Sequence, residues 1–131
     1  MAAANVGSRQ TVYILHNVKH MPRPTEVLGE FEQLVLFALF RLGDDAYGAT
    51  IRREIEARTR RELAISAVYV TLDRLETKGL VRSRVGDPSP TRGGRRRKHF
   101  ALLPPGRRAL AQAYRTYRGM VDGLEREFDA L

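Results

Sequence analysis

Residues 65–80 read ISAVYVTLDRLETKGL, and the rest of the chain is organised around them. Ile65, Val68, Leu72 and Leu75 recur at i, i+3, i+7 and i+10, which places one apolar stripe of a helix against a core. Ser66 stands at the start of this pattern as a first-turn or N-cap residue, and Gly79 follows Lys78 as a C-terminal stop. The opposite side carries Ser66, Ala67, Val70 and Arg74, flanked by Tyr69 and Thr71. A solvated face would carry more Lys and Glu. Small residues that let a backbone approach, together with a few reaching donors, suit a helix that enters a groove.

The segment before it, Tyr47 to Arg60, has an inward stripe of Ile51 and Ile55 with Ala57 or Arg58, and a charged outer face. A short RELA linker joins the two, so the pair follows a helix-turn-helix pattern. After it, residues 80–85 alternate as a strand, with Val81, Ser83 and Val85 on one side and Arg82 and Arg84 on the other. A turn-rich connection through Gly93-Gly94 leads to a returning strand ending in His99-Phe100-Ala101-Leu102. A basic hairpin directly after a reading helix is the wing of a winged helix. From Arg82 to Lys98 the chain carries seven Arg or Lys and one acid, Asp87, so this hairpin holds +6 of the total +8. Such concentration on one hairpin points to phosphate backbones.

Upstream, residues 28–42 form an early helix that is apolar nearly all round. Phe31, Leu34, Val35, Ala38, Leu39 and Leu42 share one face, and Leu36, Phe37 and Phe40 occupy the others. A helix of that kind is buried on more than one side, and in a chain of 131 residues the second covering surface is expected from another subunit. Downstream, Pro104-Pro105-Gly106 opens a last helix. Leu110, Ala113, Tyr117, Met120 or Val121, Leu124, Phe128 and Leu131 follow at steps of three and four, a seam for helix–helix packing between subunits. Residues 1–26 lack periodicity and are expected to be a flexible or accessory arm, with Met21 as an alternative start. The expected division is therefore an arm over 1–26, a winged helix-turn-helix domain over 27–103 and a dimerisation helix over 104–131.

The segments LGEFEQLVLFALFRLGDDAYGATIRREIE, ISAVYVTLDRLETKGLVRSR and RGGRRRKHFALLPPGRRAL resemble the PadR family of winged-helix transcriptional regulators. The likeness runs from about Leu28 to Leu110; its specific part is AVYVTLDRLETKGLV with the basic wing behind it. Tyr69 matches the family's characteristic Tyr of the recognition helix, and Gly48 the Gly after the aromatic that opens the second helix. The resemblance implies a homodimeric repressor that binds a palindromic operator through helix 65–78 and wing 82–98. One short C-terminal helix replaces the extended effector-and-dimer domain of larger members, so a dedicated ligand pocket is not implied.

The fold class is thus mainly α with a small β-hairpin. Expected DNA contacts are Ser66, Ala67, Tyr69, Val70 and Arg74 from the helix, and Arg92, Arg95, Arg96, Arg97 and Lys98 from the wing. The expected dimer interface comprises Phe31, Leu34, Phe37, Leu110, Tyr117, Val121, Leu124 and Phe128. The partners are double-stranded DNA and a second copy. An effector, should one act, would sit near Phe37, Phe40, Tyr117 and Met120. No cysteine is present, the three His are scattered, and no nucleophile elbow, phosphate loop or HExxH occurs. No enzyme, metal or cofactor is expected. The longest apolar run, Leu34 to Phe40, is too short for a bilayer, and no secretory signal opens the chain; a cytoplasmic location is expected. A basic RNA-binding module and a dimeric interaction module are the competing classes, and neither accounts for reading helix and wing together.

Overall fold

The computed structural model describes residues 28–86 and 97–131. Its elements are α1 (Glu30–Leu42), α2 (Gly48–Thr59), α3 (Ile65–Thr77), β1 (Val81–Val85), β2 (Lys98–Leu102), α4 (Pro104–Val121) and α5 (Glu125–Asp129). The expected arm over 1–26 and its alternative start at Met21 lie outside the described residues, as does most of the connection between β1 and β2.

The core forms where the three helices of the winged domain meet the root of the hairpin. Val35, Leu36, Ile51, Val68, Leu72 and Leu75 are fully buried there, joined by Val81, Phe100 and Leu110. Burying that many aliphatic side chains, each worth about 1.5–3 kcal/mol, drives the assembly. Leu36, placed by the sequence on a secondary face of α1, belongs to this core. The reason is that α1 packs against α2, α3, β2 and α4 of its own chain. Much of the second covering surface expected from another subunit is therefore supplied in cis. Phe37 and Phe40 alone of that group stay exposed, Phe40 at 59%.

Each end of the helices has a local cause. At α1 the Glu32 carboxylate reaches back to accept the Gly29 N–H at 2.9 Å, half of a capping box. At α2 the Thr50 hydroxyl accepts the Tyr47 N–H at 3.0 Å and is itself turned toward the Asp45 and Tyr47 carbonyls. Helix α3 begins at Ile65 with Ala64 as its N-cap, so Ser66 lies in the first turn. It ends in a Schellman motif: Leu80 N–H donates to the Leu75 carbonyl and Gly79 N–H to that of Glu76. Gly79 supplies the left-handed conformation, φ 76°, that this stop requires.

Strands β1 and β2 pair antiparallel, with Val81 opposite Leu102 and Val85 opposite Lys98. A single bridge from Tyr47 to His99 adds the start of α2 to the hairpin's edge, and Phe100 N–H donates to the Ala46 carbonyl at 2.8 Å. The wing root is thereby fastened to the front of the helix-turn-helix. Behind it, the first turn of α4 presses on the α3–β1 junction. A Cβ on Gly106 would lie 2.1 Å from the Leu80 carbonyl oxygen, so only glycine allows this approach.

The C-terminal stretch differs from the single helix expected over 104–131. Helix α4 stops at Val121, Gly123 takes φ 86°, and a separate five-residue helix, α5, follows. Leu110, assigned by its spacing to the intersubunit seam, is buried in its own chain's core. It sits in the second turn of α4, where that helix still lies on α1.

Candidate nucleic-acid interface

Helix α3 presents to solvent the face expected of a reader. Ser66, Ala67 and Arg74 are exposed, Tyr69 is 42% exposed and Val70 51%. Thr71, read as a flank of that face, is instead buried, one turn from Val68 and beside Leu72 on the inward side of the helix. The exposed strip is uncharged from Ser66 to Val70 and carries Asp73 and Arg74 one turn further on; its small first-turn side chains let the start of the helix approach a groove closely.

Tyr69 is aimed by its neighbour. A Cβ built on Gly48 would meet the Tyr69 Cζ and hydroxyl oxygen at 2.4 Å, so the end of the ring lies against the first residue of α2. The aromatic packs against Gly48 while the residue as a whole stays partly open to solvent. From Gly48 the contact continues to the wing. The Arg97 guanidinium stands 4.4 Å above the Tyr47 ring, and His99 meets the same ring edge-on at 5.4 Å. Tyr69, Gly48, Tyr47 and Arg97 thus form one continuous line from reading helix to wing root. Among the described residues, the Arg97 Nε and His99 Nδ1 are buried without hydrogen-bond partners, and the Tyr47 π face engages the Arg97 guanidinium instead.

Two further links fix the helix. Glu76 near the end of α3 accepts from Ser83 N–H at 3.2 Å and from the Ser83 hydroxyl at 2.8 Å, tying α3 to β1. Lys78, one residue past α3, donates to both oxygens of Glu32 at 2.9 and 3.1 Å, tying it to α1. Burial pushes the Glu32 carboxyl up, but Lys78, the Gly29 N–H and the charge of Arg74 outweigh it and hold the group below the ordinary glutamate range. None of Tyr47, Glu76 or the Glu32–Lys78 pair was marked by the sequence as part of the site. Glu32 and Lys78 lie 46 residues apart, so no local spacing could reveal them; the aromatic at Tyr47 before Gly48 was the one visible signal.

On the wing, Arg82, Arg84 and Lys98 are exposed. Lys98 lies 5.7 Å from the Phe100 ring. Arg92, Arg95 and Arg96 lie outside the described residues. Arg97 is half-buried against Tyr47, so it has an intramolecular partner that its place in the basic run did not foretell. Among the described residues, no group of three His, Asp or Glu is placed to hold a metal ion, and no helix is long and apolar enough to cross a membrane.

The profile described as the transcriptional regulator PadR-like family matches residues 36–112. The chain belongs to the PadR-like family. Its members' winged-helix architecture agrees with the helices and hairpin described above. Among solved structures, a PadR family transcription regulator from Clostridium difficile R20291 is 27% identical, with a TM-score of 0.61 over 76% of this chain and 99% of that one. The RosR protein of H. salinarum is 24% identical, TM-score 0.59, over 79% of this chain and 86% of that one. A PadR-like transcriptional regulator from Bacillus cereus is 17% identical, TM-score 0.58, over 75% and 89%. No protein with a curated description matches the sequence significantly. Fold and family together make this PadR-like chain a winged helix-turn-helix regulator of transcription, a DNA-binding class.

Proposed function

We propose that this PadR-like regulator is a sequence-specific repressor that binds a palindromic operator as a homodimer. Helix α3 lies in the major groove with Ser66, Ala67, Tyr69, Val70 and Arg74 nearest the bases. The Ser66 and Tyr69 hydroxyls donate to phosphates or base edges, Ala67 and Val70 meet thymine methyls, and Arg74 reaches guanine or phosphate. Arg92, Arg95, Arg96 and Lys98 contact the flanking backbone or the adjacent minor groove. Arg97 holds the wing against Tyr47, so the basic tip and the reading helix arrive at DNA in a fixed relation. Phosphate contacts supply affinity and the helix supplies discrimination.

The single observation that carries this reading is the exposed strip of α3, uncharged over its first turns, linked through Gly48 and Tyr47 to the root of a strongly basic hairpin. Dimerisation is supported by the exposed apolar side chains Tyr114, Tyr117, Met120, Leu124 and Phe128 along α4 and α5, continuous in kind with Phe37 and Phe40 on α1. A lone monomer rarely leaves so many large apolar groups in water. Repression then follows from occupancy of a promoter-overlapping site. Footprinting on the chain's own upstream region, with transcription measured with and without protein, tests the reading. A protected site with two symmetric half-sites and reduced transcript is the expected result; uniform weak protection along all duplexes would instead mark a nonspecific nucleic-acid-binding or interaction module.

A further inference from the structure

Helix α4 carries a second concentration of positive charge, apart from the wing. Its 18 residues hold Arg107, Arg108, Arg115 and Arg118 and no acid, so this one helix has a charge of +4 in a chain of +8. All four side chains are exposed. The first turn lacks the acids that a helix dipole favours there. Arg107 and Arg108 follow it directly and add cations to the end that is already positive. Helix stability alone would select the opposite arrangement.

The four arginines share one side of the helix. With about 100° per residue, Arg107 and Arg118 stand about 60–80° from Leu110, and Arg108 and Arg115 about 140–160°. Leu110 anchors α4 in the core, so Arg108 and Arg115 point outward. The flanking pair has local partners: the Arg107 guanidinium carbon lies 5.5 Å from the Phe40 ring centroid, and Arg118 donates to the Tyr114 hydroxyl at 2.9 Å. Among the described residues, Arg108 and Arg115 form no ion pair. Tyr114, Tyr117 and Met120 occupy the adjoining sector, so a dimer closed over them leaves the arginine ridge uncovered. The acids of the C-terminal stretch begin at Asp122, about 10 Å beyond Arg115 along the axis, which is past the roughly 8 Å at which salt screens a charge.

We infer that this ridge binds the phosphate backbone of a second duplex DNA segment, independently of sequence, while α3 reads the operator. Guanidiniums match phosphate oxygens in pairs. Arg108 and Arg115 are about 10 Å apart along the axis, or about three phosphate steps along one strand. An acidic peptide would need apolar pockets for its anchor side chains, and the residues interleaved with these arginines, Ala111 and Gly119, are too small to build one. Helices α3 and α4 both pack on α1, and each turns its exposed face away from it, so a duplex seated on α3 does not run along α4. The inference rests on the DNA-binding reading for its choice of polyanion and adds a surface outside both reading helix and wing. Two segments held by one protein close a loop in the DNA or link separate duplexes.

The test compares the full-length protein with an Arg108→Gln, Arg115→Gln double variant, both of whose changes lie on exposed side chains. A duplex from the chain's own upstream region is fixed to beads, loaded with protein and washed, and a labelled duplex of unrelated sequence is added across a salt series. The wild type should retain the second duplex. The double variant should retain roughly tenfold less, with a salt slope smaller by about two units, while anisotropy on a single operator duplex is the same for both proteins. Equal retention by both proteins, or by neither, overturns the inference. Operator affinity that falls as far as retention does also overturns it, because the ridge then lies on the same duplex as α3. Binding to phosphatidylglycerol vesicles that the double variant loses, without capture of a second duplex, overturns it in favour of a membrane surface. If neither protein prefers operator to scrambled duplex, the sequence-specific repressor reading fails; beads carrying scrambled duplex then decide the ridge by the same ratio.

Discussion

Replacing Gly48 by alanine perturbs the reading helix without changing any of its residues. The added methyl would sit 2.4 Å from the end of the Tyr69 ring and 3.0 Å from Cε1, whereas carbon atoms rest at about 3.5–4.0 Å. The ring must therefore retreat by more than about 1 Å. It can do so cheaply, because the clash is with the far end of a side chain that is already 42% exposed. Alanine also has the higher helix propensity, by up to about 1 kcal/mol. Global stability should accordingly change by no more than about 1 kcal/mol, read from urea unfolding. Operator affinity should fall by about 1–2 kcal/mol, or roughly five- to thirtyfold, the value of one well-placed hydroxyl and its ring contact. Fluorescence anisotropy on operator and scrambled duplex reads the loss, which should be confined to the operator. If Gly48→Ala binds like wild type while Tyr69→Phe binds several-fold worse, glycine does not aim the ring and the reasoning is wrong. If neither variant is impaired, Tyr69 is not a DNA contact.

Four other outcomes follow from the same geometry. Gly106→Ala drives a methyl into the Leu80 carbonyl, a backbone clash that no rotamer relieves, and should lower unfolding free energy by about 1–3 kcal/mol in urea titration. The Glu32 carboxyl is depressed in the folded state, so its contribution is fully present above the usual glutamate pKa of about 4.3 and is lost as pH falls through the depressed value; Glu32→Gln should flatten that acid limb of the stability profile. Glu76→Ala frees the Ser83 N–H and hydroxyl and should cost about 1–2 kcal/mol of stability while weakening DNA binding, measured by chemical unfolding and anisotropy. Arg95→Ala should weaken all duplexes alike and reduce the slope of log affinity against log salt by about one unit; identical slopes for mutant and wild type would remove Arg95 from the backbone contacts.

The parts of this protein that were legible in its sequence are those set by short-range periodicity. The stripe Ile65, Val68, Leu72 and Leu75 needs only the 3.6-residue turn to be recognised, and Gly79 announces the stop behind it. The basic hairpin was equally plain, since seven cations against one acid between Arg82 and Lys98 stand out in the sequence without any knowledge of contacts. What escaped was decided by contacts distant along the chain. Nothing near Leu36 says that α4 and β2 will cover the far side of α1. Leu110 satisfies a heptad-like seam and a core position equally well, and only the docking of α4's second turn on α1 separates the two. Gly123 falls inside the run of apolar steps from Leu110 to Leu131, and no local spacing tells that its positive φ ends one helix before another starts. Arg97 sat in a run of identical cations, and the Tyr47 ring that engages it lies fifty residues upstream. Local pattern therefore marks the exposed face of α3 and the basic run, while the contacts that orient them belong to tertiary structure.

The measurement that bears most directly on the function is anisotropy of the full-length protein on its own upstream region against scrambled duplex, across a salt series. A sequence-specific regulator should prefer one site by about a thousandfold or more, with affinity falling steeply as salt rises. Weak binding that is equal on every duplex, with the same slope for each, would contradict the assignment of α3 as a reader of sequence.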